Sequence, residues 1–357
     1  MNELPGRGGR NSRCTLATQA TVQGYPTDLG YYANGTKTVT EALGDFTQND
    51  YDPLNRLART LQNVGGTLSA LTAPGNTEPV VKLDYDPLGR LTAFKDGPTD
   101  TVIDGYSYDV TGNRLSAKVN TTTQTYIYPT TSHRLSSVAG TARSYDAAGN
   151  TTAIGGTAVQ YVYGANGRLT QVKRSGTVVA NYAYSGRGEQ VRRVGTTNTY
   201  TLYDESGHWL GDYANNGAVV QQAIWLDDLP VGVLAKTALR YVQPDHLGTP
   251  RAVIDPVRDL AIWRWDLKGE AFGTTAPDQD PDKDGNAFVF DMRFPGQRYD
   301  ALSGLNQNYF RDYEPGAGRY VQSDPIGLEG GISAYSMLGQ IRPPILTHLG
   351  CCDSTPG

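Results

Sequence analysis

Leu83-Asp84-Tyr85-Asp86-Pro87-Leu88-Gly89-Arg90-Leu91-Thr92-Ala93-Phe94 is the stretch that decides the fold. The approach to Tyr85 alternates apolar and polar residues, the pattern of a half-buried strand. Asp86 is placed to accept hydrogen bonds from backbone amides just downstream. Pro87 then fixes φ, and Gly89 admits the positive φ that reverses the chain. Arg90-Leu91 begins the return. The stretch predicts a β-hairpin with Tyr85 as the last large residue before its turn.

The same sentence is written along the chain. It reads Tyr51-Asp52-Pro53-Leu54-Asn55-Arg56-Leu57, then Tyr108-Asp109 through Arg114-Leu115, Tyr145-Asp146 through Gly149-Asn150, and Tyr163-Gly164 through Arg168-Leu169. Degenerate copies start at Tyr128, Tyr184, Tyr203 and Tyr213. Repetition at about 17 to 34 residues marks an array of one supersecondary unit. Two strands per unit predict an antiparallel sheet of about 18 strands, and a sheet that long must coil because each strand twists against the next. The expected fold class is all-β: a coiled antiparallel β-sheet ribbon of repeated hairpins. The tyrosine rings have two readings, cross-strand packing within the sheet or an aromatic surface on which glycans stack.

Composition agrees with strands and turns: 42 Gly and 23 Tyr stand against 3 Met and 7 Phe in 357 residues. A net charge of −5 gives a nucleic-acid partner no electrostatic support. No stretch approaches the roughly 18 apolar residues that a helical membrane span needs. Residues 1–13 are basic and Gly-rich but no apolar segment comes after them, so no secretory signal peptide is expected. Cys14, Cys351 and Cys352 form no disulfide framework and have no ligand partner at metal spacing; they read as incidental thiols.

After Tyr241 the text changes. Asp245-His246-Leu247-Gly248-Thr249-Pro250 is followed by Trp263-Arg264-Trp265-Asp266-Leu267-Lys268-Gly269-Glu270, by Arg293-Phe294-Pro295-Gly296-Gln297, by Asn308-Tyr309-Phe310-Arg311-Asp312-Tyr313, and by Ser323-Asp324-Pro325-Ile326-Gly327-Leu328. These ordered blocks resemble the core that closes Rhs (rearrangement hot spot) proteins, and the upstream units resemble their YD repeats, over about residues 46–331. The resemblance implies a teneurin-like YD shell, in which a β-ribbon spirals into a capsule around a carboxy-terminal toxic domain bound for other cells. It divides the chain into an unpatterned leader (1–45), a YD-repeat sheet (46–240), an Rhs core (241–331) and a divergent tail (332–357). It also implies a bacterial protein, secreted or displayed at the cell surface. Without a signal peptide, the chain is expected to stay cytoplasmic unless a specialised system exports it.

In that family the cargo is freed by aspartyl autoproteolysis beside the terminal block. Such chemistry needs two carboxylates sharing a proton. Asp324 matches the family's first catalytic aspartate and Arg319 its arginine. The second motif is not matched: Ser333 stands where Asn is usual, and Asp353 is the remaining carboxylate of the tail, outside any Pro-Gly context. The expectation is a remnant site without activity, Asp324 opening a turn before Pro325. The segment after Leu328 is shorter than the roughly 50 residues of a small domain, so the chain reads as a non-enzymatic shell segment, truncated and lacking the toxin. The alternatives are a carbohydrate- or protein-binding surface module and a residual autoprotease. Expected partners are the remainder of a shell, a toxin cargo, or further copies joined through open sheet edges.

Asp280, Asp282 and Asp284, with Gly285 next and Asp291 at the twelfth position, carry the spacing of a calcium loop. Pro281 inside the loop and a strand-like Phe288-Val289-Phe290 after it speak for a solvated hairpin tip. No cofactor is expected, Ca²⁺ being the candidate that this spacing raises. Asp245-His246 reads as turn chemistry, and Arg56, Arg90, Arg114 and Arg168 read as solvated or turn-paired guanidinium groups.

Overall fold

A computed structural model of the chain describes five strands between Gln19 and Asn63, and then residues 81–327 and 333–336 apart from 120, 246 and 267–270. The protein is all-β. From Gln19–Val22 to Leu260–Arg264 the strands form one 24-stranded sheet, in which each strand pairs antiparallel with its sequence neighbour. Among the described residues no pairing joins its first strand to its last, so the ribbon is not closed. A separate sheet of four short strands comes next: Arg298–Asp300, Leu305–Asn308, Arg311–Glu314 and Arg319–Tyr320.

The turn at Asp86 has the chemistry expected of it. Asp86 Oδ1 accepts the amides of Leu88 and Arg90 at 3.0 and 2.9 Å, and Gly89 adopts a φ of 81°. Asp109, Asp204 and Asp245 build the same turn with their own carboxylates. In the degenerate copy the hydroxyl of Ser185 replaces the carboxylate, accepting Arg187 and Glu189 amides at 3.3 Å.

Two features of the repeat lie deeper than its turn. The strand register shifts immediately before the tyrosine, between Asp84 and Tyr85, Ser107 and Tyr108, Ser144 and Tyr145, Val162 and Tyr163, Ala183 and Tyr184, and Leu202 and Tyr203. A bulge bends its strand and increases the local twist, so a bulge in each repeat supplies the curl of the ribbon. The displaced tyrosine then reaches back one repeat. Its hydroxyl donates to the carbonyl just past the preceding turn: Tyr108 to Leu91 (2.9 Å), Tyr145 to Leu135 (2.8 Å), Tyr163 to Thr151 (2.8 Å) and Tyr184 to Leu169 (2.7 Å). Trp225 keeps the rung with its indole nitrogen, 2.9 Å from the Trp209 carbonyl.

At four of these rungs the residue before the accepting carbonyl covers the next ring, Arg134 over Tyr145 among them. Arg90 lies 5.0 Å over Tyr108, Arg168 5.7 Å over Tyr184, and His208 stacks 4.6 Å from Trp225. Arg90, Arg114 and Arg168 are therefore buried, which corrects the solvated reading. Their guanidinium groups replace water by ring faces and carbonyls. Arg90 is also turn-paired, 2.6 Å from Asp86.

Strand pairing crosses two of the divisions expected from the sequence. Strands Gln19–Val22, Tyr25–Tyr31 and Lys37–Glu41 lie in the ribbon, within the segment read as an unpatterned leader. The division between 240 and 241 falls inside strand Ala238–Pro244, and the ribbon runs on to Arg264. Pairing of backbone groups needs no tyrosine motif.

Candidate functional site

One face of the ribbon carries the four-stranded sheet. Tyr161, Leu169, Val172, Ala180 and Tyr182 of the ribbon share a buried cluster with Leu305 of that sheet and Val321 just past its last strand. Leu91, Tyr106, Ala117 and Tyr126 close in the same way on Phe272 and Ala317. Trp209, Val233 and Val253 pack with Trp263, Trp265, Phe290 and Met292, and the rings of Trp263 and Phe290 meet edge-on at 5.4 Å. Trp263 and Trp265, two residues apart, both enter this cluster, as alternation along a strand requires. Val162, Leu202 and Ile224 remain exposed. Each Val, Leu, Phe or Met side chain so covered contributes about 1.5–3 kcal/mol, and the four-stranded sheet, with the segment that leads to it, is seated on the ribbon wall as a plug.

Polar groups fix its position. Arg143 grips Glu314 through two bonds of 2.5 and 2.7 Å, Arg298 reaches Asp212 at 2.5 Å, and Tyr182 donates to Asp300. Arg168 donates to the Tyr309 carbonyl, and Tyr126 to that of Gly316 at 3.0 Å. Burial works to raise the Asp212 carboxyl, yet Arg298, Thr201 and Trp209 hold it below the ordinary value. Asp312 is pushed up to about 6 by burial, Gln322 opposing and Asp300 adding to the shift. Neither Asp212 nor Asp312 stood out in the sequence, because the tertiary fold alone supplies their partners.

Asp324 closes a turn: its Oδ1 accepts the Ile326 amide at 3.1 Å, and Oδ2 lies 2.9 Å from Arg311. Arg319 points elsewhere, donating to the His133 carbonyl at 2.7 Å and to Tyr128 at 3.2 Å, with Tyr335 against its face at 4.5 Å. The structure thus brings Asp324 to Arg311, and Arg319 to the wall. A cavity of about 70 Å³ lined by Arg114, Tyr128, Arg319 and Tyr335 lies there, well below the ~300–1,000 Å³ of a small-molecule site. Tyr335 reaches the wall as well, donating to the Gly149 carbonyl at 2.7 Å. Asp353 and His246 lie outside the described residues. Asp245 serves its turn and pairs with Arg251 at 2.9 Å.

Of the four expected metal ligands, Asp280, Asp282 and Asp284 converge, with ligand oxygens within 4.8 Å of one another. Asp291 stands apart. It is half-buried, and desolvation raises its carboxyl despite Arg298, Arg193 and Arg293 nearby.

A curled antiparallel wall of tyrosine-and-turn hairpins, with a plug docked on one face, defines a β-shell protein. The family profile of the Teneurin YD-shell matches residues 69–329, and the chain belongs to that family as an Rhs-type shell protein. It is 36% identical over 106 residues to "Toxin protein Tse5" of Pseudomonas aeruginosa, an overlap of 30% of this chain and 7% of the relative. It is 26% identical to "Double-stranded DNA deaminase toxin A" of Burkholderia cenocepacia, across 84% of this chain and 24% of that one. The chain thus spans a minor part of both relatives. The crystal structure of TcdB2-TccC3 without its hypervariable C-terminal region shares the fold, with a TM-score of 0.57 at 17% identity over 87% of this chain and 18% of that one.

Proposed function

We propose that this chain is the wall and plug of a container that encloses a polypeptide cargo, a toxin domain by kinship, and that it performs no catalysis of its own. The observation that carries the reading is the docked plug. Inward side chains along much of the ribbon are consumed in seating it and the segment that leads to it, through three apolar clusters and the Arg143–Glu314 and Arg298–Asp212 pairs. Ring faces that a glycan would need are covered by Arg90, Arg134 and Arg168. Asp324 is engaged with Arg311 and its own turn, an arrangement suited to holding the chain rather than cutting it. The unclosed ribbon offers strand edges for the remainder of a shell.

Electron cryomicroscopy of the chain with a polypeptide appended after Gly357 tests this. Density for the appended segment is expected on the concave, plug-bearing side of the ribbon. Density confined to the outer face, where Val162 and Leu202 lie, would refute enclosure.

A further inference from the structure

The last hairpin of the ribbon, between strands Pro250–Asp255 and Leu260–Arg264, faces the acidic loop that leads to the plug. Arg264 and Asp278 join the two by a pair of backbone bonds, each 2.8 Å. Within the loop the three carboxylates of Asp280, Asp282 and Asp284 turn their oxygens to one point. Convergence of acids alone would mean little on a surface.

Asp282 makes it mean more. Its side chain is only 2% exposed, yet Oδ1 receives no hydrogen bond, and neither does the buried Oδ1 of Asp280. Burying a carboxylate oxygen with no donor is costly, and the cost is removed by a donor or a cation. One cation is present: Arg258 Nη1 lies 2.7 Å from Asp282 and 2.8 Å from Asp284. That guanidinium is shared with Asp255, 3.1 Å from its Nε. Lys283 is drawn outward to Asp278 at 3.2 Å and to the Asp280 carbonyl at 2.8 Å. The cluster holds more negative charge than these two side chains neutralise, and its uncovered oxygens are hard donors.

We propose that Asp280, Asp282 and Asp284 form a Ca²⁺ site at the junction of ribbon and plug, with Arg258 occupying the carboxylates in place of the metal when it is absent. Ca²⁺ takes about six to eight oxygens in adaptable geometry, so carbonyls of the loop and water complete the shell without Asp291. Mg²⁺ demands a tighter octahedron and retains its water, so it is the poorer fit. Bound metal would tie the loop to the last ribbon hairpin and release Arg258 to Asp255.

Calorimetric titration of the full chain with CaCl₂, paralleled by Tb³⁺ luminescence, tests the proposal. One Ca²⁺ per chain is expected, in the ~10⁻⁴ M range of extracellular modules and at least about tenfold tighter than Mg²⁺. Asp282→Asn should weaken binding about tenfold or more; should that variant misfold, the exposed Asp284→Asn serves the same purpose. Arg258→Gln discriminates further. It removes the competing cation, so Ca²⁺ affinity should rise several-fold, whereas a cluster that exists only for its salt bridges would lose stability and gain no affinity. Absence of heat and of Tb³⁺ emission up to ~5 mM metal, or an unchanged affinity in both aspartate variants, overturns the proposal.

Discussion

Arg143 on the ribbon holds Glu314 on the plug in a fork of two parallel hydrogen bonds, 2.5 and 2.7 Å long, with both side chains largely buried. Two residues far apart in sequence thereby fix the docking of one sheet on the other. Removing one partner strands the other's charge in the interior. Arg143→Met should cost about 3–5 kcal/mol in urea unfolding, while Arg143→Met with Glu314→Met should recover most of it. A single variant within about 0.5 kcal/mol of the parent would show that the pair does not hold the plug.

The tyrosine ladder makes a second test. Tyr184→Phe and Tyr163→Phe each delete one rung and leave a carbonyl without its donor, so each should lower stability by about 1–3 kcal/mol. Tyr200, bonded to Asn215 at an exposed site, is the control; its change to Phe should be near neutral. Equal losses at all three positions, measured by chemical denaturation, would count against a ladder.

Much of this was legible in the sequence. The Asp86 turn, the Gly89 conformation and the succession of hairpins arise from local chemistry, which is why one short stretch identified an all-β ribbon. The ladder was only half visible: the hydroxyl of Tyr85 or Tyr108 is plain in the sequence, but the bulge that aims it depends on pairing with the next strand. Arg90 and Arg168 read as solvated or turn-paired, the usual settings of a guanidinium, and the turn pair with Asp86 is present for Arg90. Their burial depends on the following tyrosine and, for Arg168, on the Tyr309 carbonyl of the distant plug. The strands before Glu41 escaped because pairing there carries no repeated motif. Of the loop acids, the near trio is local in sequence and came together. Asp291 belongs instead to the buried arginine-rich junction around Arg298.

The buried Asp312 gives stability a definite pH dependence. Its folded-state value, about 6, lies above the ordinary 3.8, so the folded state keeps a proton that the unfolded chain has released between those values. The contribution is complete below about pH 3.8 and is lost as pH rises through about 6, by up to about 3 kcal/mol. Asp212 acts oppositely: its value is lowered, so its contribution is present above the unfolded value and disappears as pH falls through the folded one. Asp312→Asn should flatten unfolding free energy between pH 4 and 6. An undiminished slope in that variant would assign the dependence to other groups.

Asp324 is expected to matter to stability and not to chain length. Asp324→Asn weakens the pair with Arg311 and should cost about 1 kcal/mol. Intact-mass spectrometry of the purified parent should show the whole chain. A fragment ending near residues 328–340 that vanishes in Asp324→Asn would reveal a working autoprotease.

Enclosure itself is open to direct measurement by protease protection. A flexible reporter polypeptide appended after Gly357 is treated with a nonspecific protease, alongside the same reporter free in solution. The reporter should survive while the ribbon is folded and become cleavable in Arg143→Met at denaturant concentrations that unseat the plug. Digestion of the appended reporter as fast as the free one, with ribbon and plug intact, would contradict a container.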